Sequence, residues 1–339
     1  MKIPLKKWAS NIGAAGMFPA ARNRAVMDIL RHLPGALARL TLLLLGISFF
    51  SFLIIQLSPS DPAEVAIRVN AVTPTPEVLA ETRASLGLDK PFLTRYLHWL
   101  AHALRGDLGN SYVDGKSVAA AMGRALPPTL LLAGTAALII VVCCVPAALT
   151  AFFFEGRAPD ILLRALIFLS GAVPAFWAGL LLLWLFAVHW NLLPVSGLEE
   201  PKSLVLPAIT LALPYISTYA RLLRSSILHT KQQNFVLYAR TCGRSPRAIL
   251  RHVVRNSLQT SLAGLGMSLP KLIAGTFVVE SIFAWPGLGR LCVTAIFNRD
   301  FPVIQAYILL MALFFTLFNA LMETCSALAD PRLRDRRTT

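Results

Sequence analysis

The chain has 339 residues, 56% of them hydrophobic and only 14% charged, with a formal net charge of +15. That balance, with a mean hydropathy of +0.63, excludes an ordinary soluble domain and indicates a protein that crosses a membrane repeatedly. A pI near 10.2 often signals a nucleic-acid partner, but here the placement of the charges accounts for it through membrane topology, and no nucleic acid is expected.

In chain order, residues 1–35 form a basic extension expected on the cytosolic side, and 36–57 the first span. The uncharged run 40–57 starts too late and runs too long for a cleaved signal peptide, so it reads as an anchor. Segment 58–128 is long and charge-balanced. Pro74-Thr75-Pro76-Glu77 opens a helix, and apolar residues recur at helical spacing over 77–86 and 92–104. A small helical lid outside the membrane is expected there. His98 and His102 stand four apart on the second of these helices, a spacing that can bring two imidazoles to one metal. No third ligand is visible, exposed surface histidines are the commoner explanation for such a pair, and no metal site is assigned. The loop from Gly109 to Ser117 holds five residues between its glycines where a phosphate-cradling loop needs four, and no buried strand precedes it, so a nucleotide site is rejected.

Further uncharged runs cover 129–154, 165–188, 203–220 and 301–322, and each can cross a hydrocarbon core of ~30 Å as a helix of roughly 20 residues. A sixth candidate, 258–282, is apolar but holds Lys271. A central lysine costs ~2.5–3.5 kcal/mol, against ~0.3–0.6 kcal/mol returned by each of ten Leu, Ile, Val or Phe in the run. Lys271 therefore needs shelter, either on a polar translocation path or in a structural ion pair with a partner subunit. Pro146, Pro174, Pro207, Pro214 and Pro270 fall inside spans, where neighbouring helices can satisfy freed carbonyls. They mark either pathway bends or local kinks. After the fifth span the Pro/Gly-punctuated stretch around Trp285 is expected to turn at the outer interface, with Trp285 at headgroup level. Six spans put both termini on the cytosolic side. The cytosolic segments then hold 21 of the 32 Lys/Arg and five acids, and the outer segments ten of each, as the positive-inside rule requires. Five cysteines (Cys143, Cys144, Cys242, Cys292, Cys325) show neither metal nor disulfide spacing.

From Arg221 to Arg255 the chain carries eight Lys/Arg and no acid. Arg221 and Arg224, like Glu323, sit at inner span ends, where snorkelling or pairing explains them. The centre of the segment reads as two short helical patterns hinged at Gly243, suited to docking into a soluble partner. Ala239, Arg240, Gly243, Arg244, Ser245, Arg247, Ile249 and Leu250 are the candidate docking residues. No His-Glu-x-x-His and no Gly-flanked serine elbow occurs, so the chain reads as a transport subunit, not an enzyme, and no cofactor is implied.

At these residues a family resemblance emerges. Ala239, three residues and then Gly243 resemble the coupling loop of permease subunits of binding-protein-dependent ABC importers, although Leu237 and Tyr238 stand where the general pattern has an acid and an alanine. Arg251-His252-Val253-Val254-Arg255-Asn256 looks like the peptide/nickel branch, with Asn256 where many members have proline. Four more stretches are similar to that branch in the same order: Leu86-Gly87-Leu88-Asp89-Lys90-Pro91, Gly106-Asp107-Leu108-Gly109-Asn110-Ser111, Glu280 to Gly289, and Asp330-Pro331-Arg332. The resemblance implies an all-α, six-span type I ABC importer permease fold, with a core over 129–326, a coupling loop over 227–257 and a cytosolic tail over 327–339. It also implies a bacterial inner-membrane heterodimer with a sister permease, two cytosolic ATPase subunits, a periplasmic solute-binding protein and surrounding membrane lipid. The stretches 74–83 and 295–300 look more like nickel or metal-chelate permeases than dipeptide ones. A dipeptide or oligopeptide importer is the alternative, and an ATPase-independent channel or scaffold is the rival from another class.

Overall fold

The structure, a computed structural model, describes residues 35, 38, 40–57, 61–69, 73–198 and 200–329, without the side chains of 259–263 and 323–329. The basic extension up to residue 34, the 330–332 motif and the Glu323 and Cys325 side chains lie outside that description. The described residues are helical apart from loops and one isolated bridge between Asn110 and Ser117.

The first helix, α1 (Leu40–Gln56), is apolar and about 26 Å long at 1.5 Å per residue. Gly35 and Ala38 upstream are also helical. Three short helices follow: α2 (Pro62–Val69), α3 (Pro76–Ser85) and α4 (Phe92–Ala103). Thr75 caps α3 with its hydroxyl accepting from Val78 N, and Pro76 occupies the first turn, as that sequence dictates. Helix α4 lies against α1. The Phe49 ring meets Phe92 and Tyr96 edge-on at 5.7 and 5.3 Å, and the Ser48 and Tyr96 hydroxyls are 2.9 Å apart.

Helix α5 (Val118–Phe153) begins earlier than expected, because Ser117 caps it. Residues 118–128 are thus the first turns of a 36-residue helix, where the sequence reading starts the span at 129. Its buried positions Leu132, Ala133, Ala136, Ile140, Cys144, Ala147, Ala148 and Ala151 recur every three or four residues. They pack along α8 (Val205–Lys231), which answers with Leu206, Ala208, Leu211, Ala212, Ala220 and Leu223. Alanine at such spacing lets two backbones approach closely where lipid supplies no hydrophobic drive.

The run 165–188, expected as one crossing, is broken. Helices α6 (Ala158–Ala172) and α7 (Ala175–Leu182, continued as a π-helical turn Leu183–His189) meet at 103°. Val173 before Pro174 is extended, with ψ 129°, as steric clash with the proline ring demands. The corner packs on α8: a Cβ on Gly171 would overlap the Ser217 side chain.

Helix α10 (Pro246–Ala274) and α11 (Thr276–Ile282) form a second bent pair, 46° apart at Gly275. Then come α12 (Leu288–Phe297) and α13 (Phe301–Ala329). By length and composition three helices can cross a membrane alone, and two bent pairs raise the number to five. With α1 these are the six apolar passages of an all-α polytopic membrane protein.

At the end of the bundle where α11 meets α12, Glu280 closes the core. It is fully buried. One carboxylate oxygen accepts from the Thr129 hydroxyl at 2.7 Å, and the other accepts from the Arg290 main-chain N–H at 3.0 Å. Thr129 in turn accepts from Leu288 N at 2.8 Å. Trp285 is only 1% exposed and its indole N–H donates to Pro128 O at 3.0 Å. This corrects the headgroup-level placement: the ring fills the core, and its one polar atom finds a carbonyl there. A second contact ties residues 111–112 to the start of α13, where Asp300 accepts from the Ser111 hydroxyl and from Tyr112 N.

Candidate coupling site

The acid-free segment folds as one short helix and the root of a long one, where the sequence pattern suggested two short helices. Helix α9 (Asn234–Thr241) is the short one. It ends in a Schellman motif: Gly243 N donates to Arg240 O at 3.0 Å, and Arg244 N donates to Ala239 O at 3.1 Å. The motif requires a left-handed residue, and Gly243 has φ +70°. A Cβ there would meet nothing within 4 Å, so the demand for glycine is conformational and not steric. Ser245 then caps α10, its hydroxyl accepting from Ala248 N at 3.3 Å, with Pro246 in the first turn. From that cap α10 runs without interruption to Ala274.

Burial divides the candidate residues. Arg240, Gly243, Arg244, Ser245 and Arg247 are exposed. Ala239 and Leu250 are half-buried, and Ile249 is buried beside Val236 and Val253 in the main apolar cluster. Ile249 is therefore an anchor whose side chain cannot reach a partner directly. Fully burying such a side chain is worth ~1.5–3 kcal/mol, and it fixes the elbow to the bundle. The exposed apolar residues of α9 were not singled out in the sequence: Leu237 and Tyr238 are 63% and 66% exposed, and Phe235 is exposed beside them. A short helix that turns Val236 inward and three large apolar groups outward cannot be stable for its own sake in water. With the exposed Arg240, Arg244 and Arg247 they make this stretch both apolar and basic at its surface.

The remaining candidates lie elsewhere. Lys271 is exposed on α10, on one strip with Met267 and Ala274, and its amine has no hydrogen bond or ion pair within the described residues. The His98 and His102 rings are 4.5 Å apart, and His102 Nδ1 is 3.0 Å from Asp107 Oδ2. Among the described residues no group of three His, Cys, Asp or Glu is placed to hold a metal. Gly109 N donates to Asp107 at 3.0 Å, and this bond, followed by the His102 contact, holds the carboxyl below the usual carboxylate range.

Residues 144–335 match the family described as Binding-protein-dependent transport system inner membrane component, and 29–133 match the N-terminal part of the same transport components. The metal-staphylopine import system permease protein CntB of Staphylococcus aureus is 36% identical over 86% of this chain and 94% of its own length. A probable peptide ABC transporter permease of Sinorhizobium fredii, y4tP, is 33% identical over 90% of this chain and 98% of its own. The glutathione transport system permease GsiC of Salmonella typhimurium is 34% identical over 86% and 94%. The chain belongs to the binding-protein-dependent transport family as an inner-membrane permease subunit of an ABC importer, with separate ATPase subunits hydrolysing the ATP and a substrate-binding partner delivering the cargo.

Proposed function

We propose that this permease moves nickel or a metal chelate inward as one half of a heterodimeric pore, driven through α9 by an ATPase docked beneath it. The observation that carries the coupling role is the exposed Phe235, Leu237 and Tyr238 face on a helix pinned by Val236. In this scheme ATP closes the ATPase pair, α9 follows the groove that holds it, and the Schellman turn at Gly243 passes the movement into α10. The helices flanking 227–257 then rock as rigid bodies and exchange access between the two sides. Arg240, Arg244 and Arg247 meet acidic or carbonyl groups on the ATPase, and they also retain the loop on the cytosolic side. Both termini lie in the cytosol, and 58–128 faces the solute-binding protein. Lys271, with its outward strip, faces the sister subunit along the translocation path and draws an anionic group on the cargo.

The metal reading is supported by the Staphylococcus relative, whose name gives a metal-staphylopine import system. The peptide and glutathione names of the other relatives favour a second reading, a small peptide. Uptake of isotopic nickel, with and without a carboxylate-bearing chelator, measured beside labelled glutathione and dipeptide in a deletion strain separates them. Loss of chelated-nickel uptake with peptide uptake intact is expected. The reverse pattern would overturn the metal assignment.

A further inference from the structure

A pocket of about 690 Å³ opens between α6 and α8, lined by Arg164, Arg221, Arg224, Phe168, Leu228 and His229 among others. Its charge is unbalanced. Asp160, 1% exposed, holds Arg224 through two bonds, Arg224 Nε to Oδ1 at 3.0 Å and Nη2 to Oδ2 at 2.9 Å. Arg164 approaches the same carboxylate only at 3.5 Å, and Arg221 reaches a main-chain oxygen, Ser217 O, at 3.1 Å. The next acid, Glu155, is taken by Lys231 at 2.9 Å. Asp160 thus neutralises one of three neighbouring guanidinium groups, leaving two positive charges for the pocket.

Depth and surroundings indicate what those charges face. The uncharged run from 203 to 220 is about 27 Å long, so Arg221 falls at the inner edge of a hydrocarbon core of ~30 Å. Around the pocket, α6 turns Ile161, Leu162, Leu166, Phe168 and Leu169 outward, all exposed. A cationic pocket at headgroup level beside an apolar wall fits one amphipathic ligand, a phosphate on an acyl-chain body. Bulk snorkelling does not explain a buried carboxylate that fixes one arginine and leaves its neighbours open.

We propose that this pocket binds the phosphate headgroup of an anionic phospholipid from the inner leaflet, with Arg164 and Arg221 as the phosphate donors and Asp160–Arg224 as the scaffold that positions them. The test uses the whole importer complex, purified in detergent and reconstituted in nanodiscs of phosphatidylcholine with increasing phosphatidylglycerol, with retained lipid read by native mass spectrometry. The wild type should keep phosphatidylglycerol in preference to phosphatidylcholine, and the double variant Arg164→Gln/Arg221→Gln should lose roughly thirtyfold in retention, the order expected from removing two cations at an anionic surface. Arg164→Lys/Arg221→Lys should restore most of it, and unchanged elution of both complexes shows that they are assembled. Equal retention in wild type and double variant would overturn the proposal. So would displacement of the lipid by millimolar inorganic phosphate, which assigns the pocket to a free anion, or protection of Arg221 by the ATPase subunits alone in phosphatidylcholine, which assigns it to a protein contact.

Discussion

At Glu280 both carboxylate oxygens are engaged, and Gly287 and Gly289 have no room for a side chain, whereas around Gly243 a side chain would begin in open space. Both regions carry motifs similar to the importer branch, yet they use glycine for opposite reasons. In the Glu280 knot glycine is a matter of volume: a Cβ on Gly287 would overlap the Glu280 carboxylate, and one on Gly289 would overlap the Phe277 main chain. In the Gly243 elbow it is a matter of backbone angle. A motif glycine can therefore report packing at one place and backbone conformation at another, and substitution tells them apart.

The largest effect is expected at the knot. Gly289→Ala sets a methyl against backbone that cannot yield, and overpacking of this kind costs ~1–3 kcal/mol or more. Little folded permease should be recovered from membranes, and a normal melting temperature would show that the knot is loose. Next comes the docking face: Leu237→Asp with Tyr238→Asp should leave the permease inserted and its melting temperature unchanged while ATPase subunits no longer co-purify. Full co-purification would remove α9 from the contact. Gly243→Val should be milder in stability, since forcing a β-branched residue to φ +70° costs ~1–3 kcal/mol without a clash. Its signature is ATP hydrolysis that persists without uptake, and coupled uptake would refute a role for the turn. Lys271→Ala should lower uptake several-fold with the fold intact, and unchanged uptake would leave Lys271 out of the path. The smallest effect belongs to Asp107. Its carboxyl is held below the unfolded value, so its contribution is present above that value, 3.8, and fades only as pH falls through the lower folded one. Lid stability, followed by thermal melting, should be flat from pH 5 to 8 in both wild type and Asp107→Asn.

Much of the fold was legible because lipid imposes length. The uncharged runs locate the apolar helices, and Gly243, Ser245 and Pro246 announce the elbow through ordinary capping chemistry. Three features were not legible, for reasons that differ. Trp285 looked interfacial because local apolarity cannot reveal that Pro128, more than 150 residues earlier, offers its indole a carbonyl. The Ser111–Asp300 bond joins residues 189 apart across two loops with no shared pattern. On the elbow, Ile249 and Leu237 are equally apolar in sequence, and only packing decides that one is sheltered and the other faces outward. The proline at 174 did signal a bend, but its size depends on how closely Gly171 lets the corner approach Ser217.

The unbroken run of α10 from Ser245 to Gly275 has a mechanical consequence. At 1.5 Å per residue its 29 residues make a rod of about 43 Å. Tilting such a rod by about 5° at its Ser245 end sweeps the far tip through roughly 4 Å. The amplification comes from stiffness alone, so a modest shift at one end of α10 becomes a displacement of several ångströms at the other with no chain of rearranging side chains.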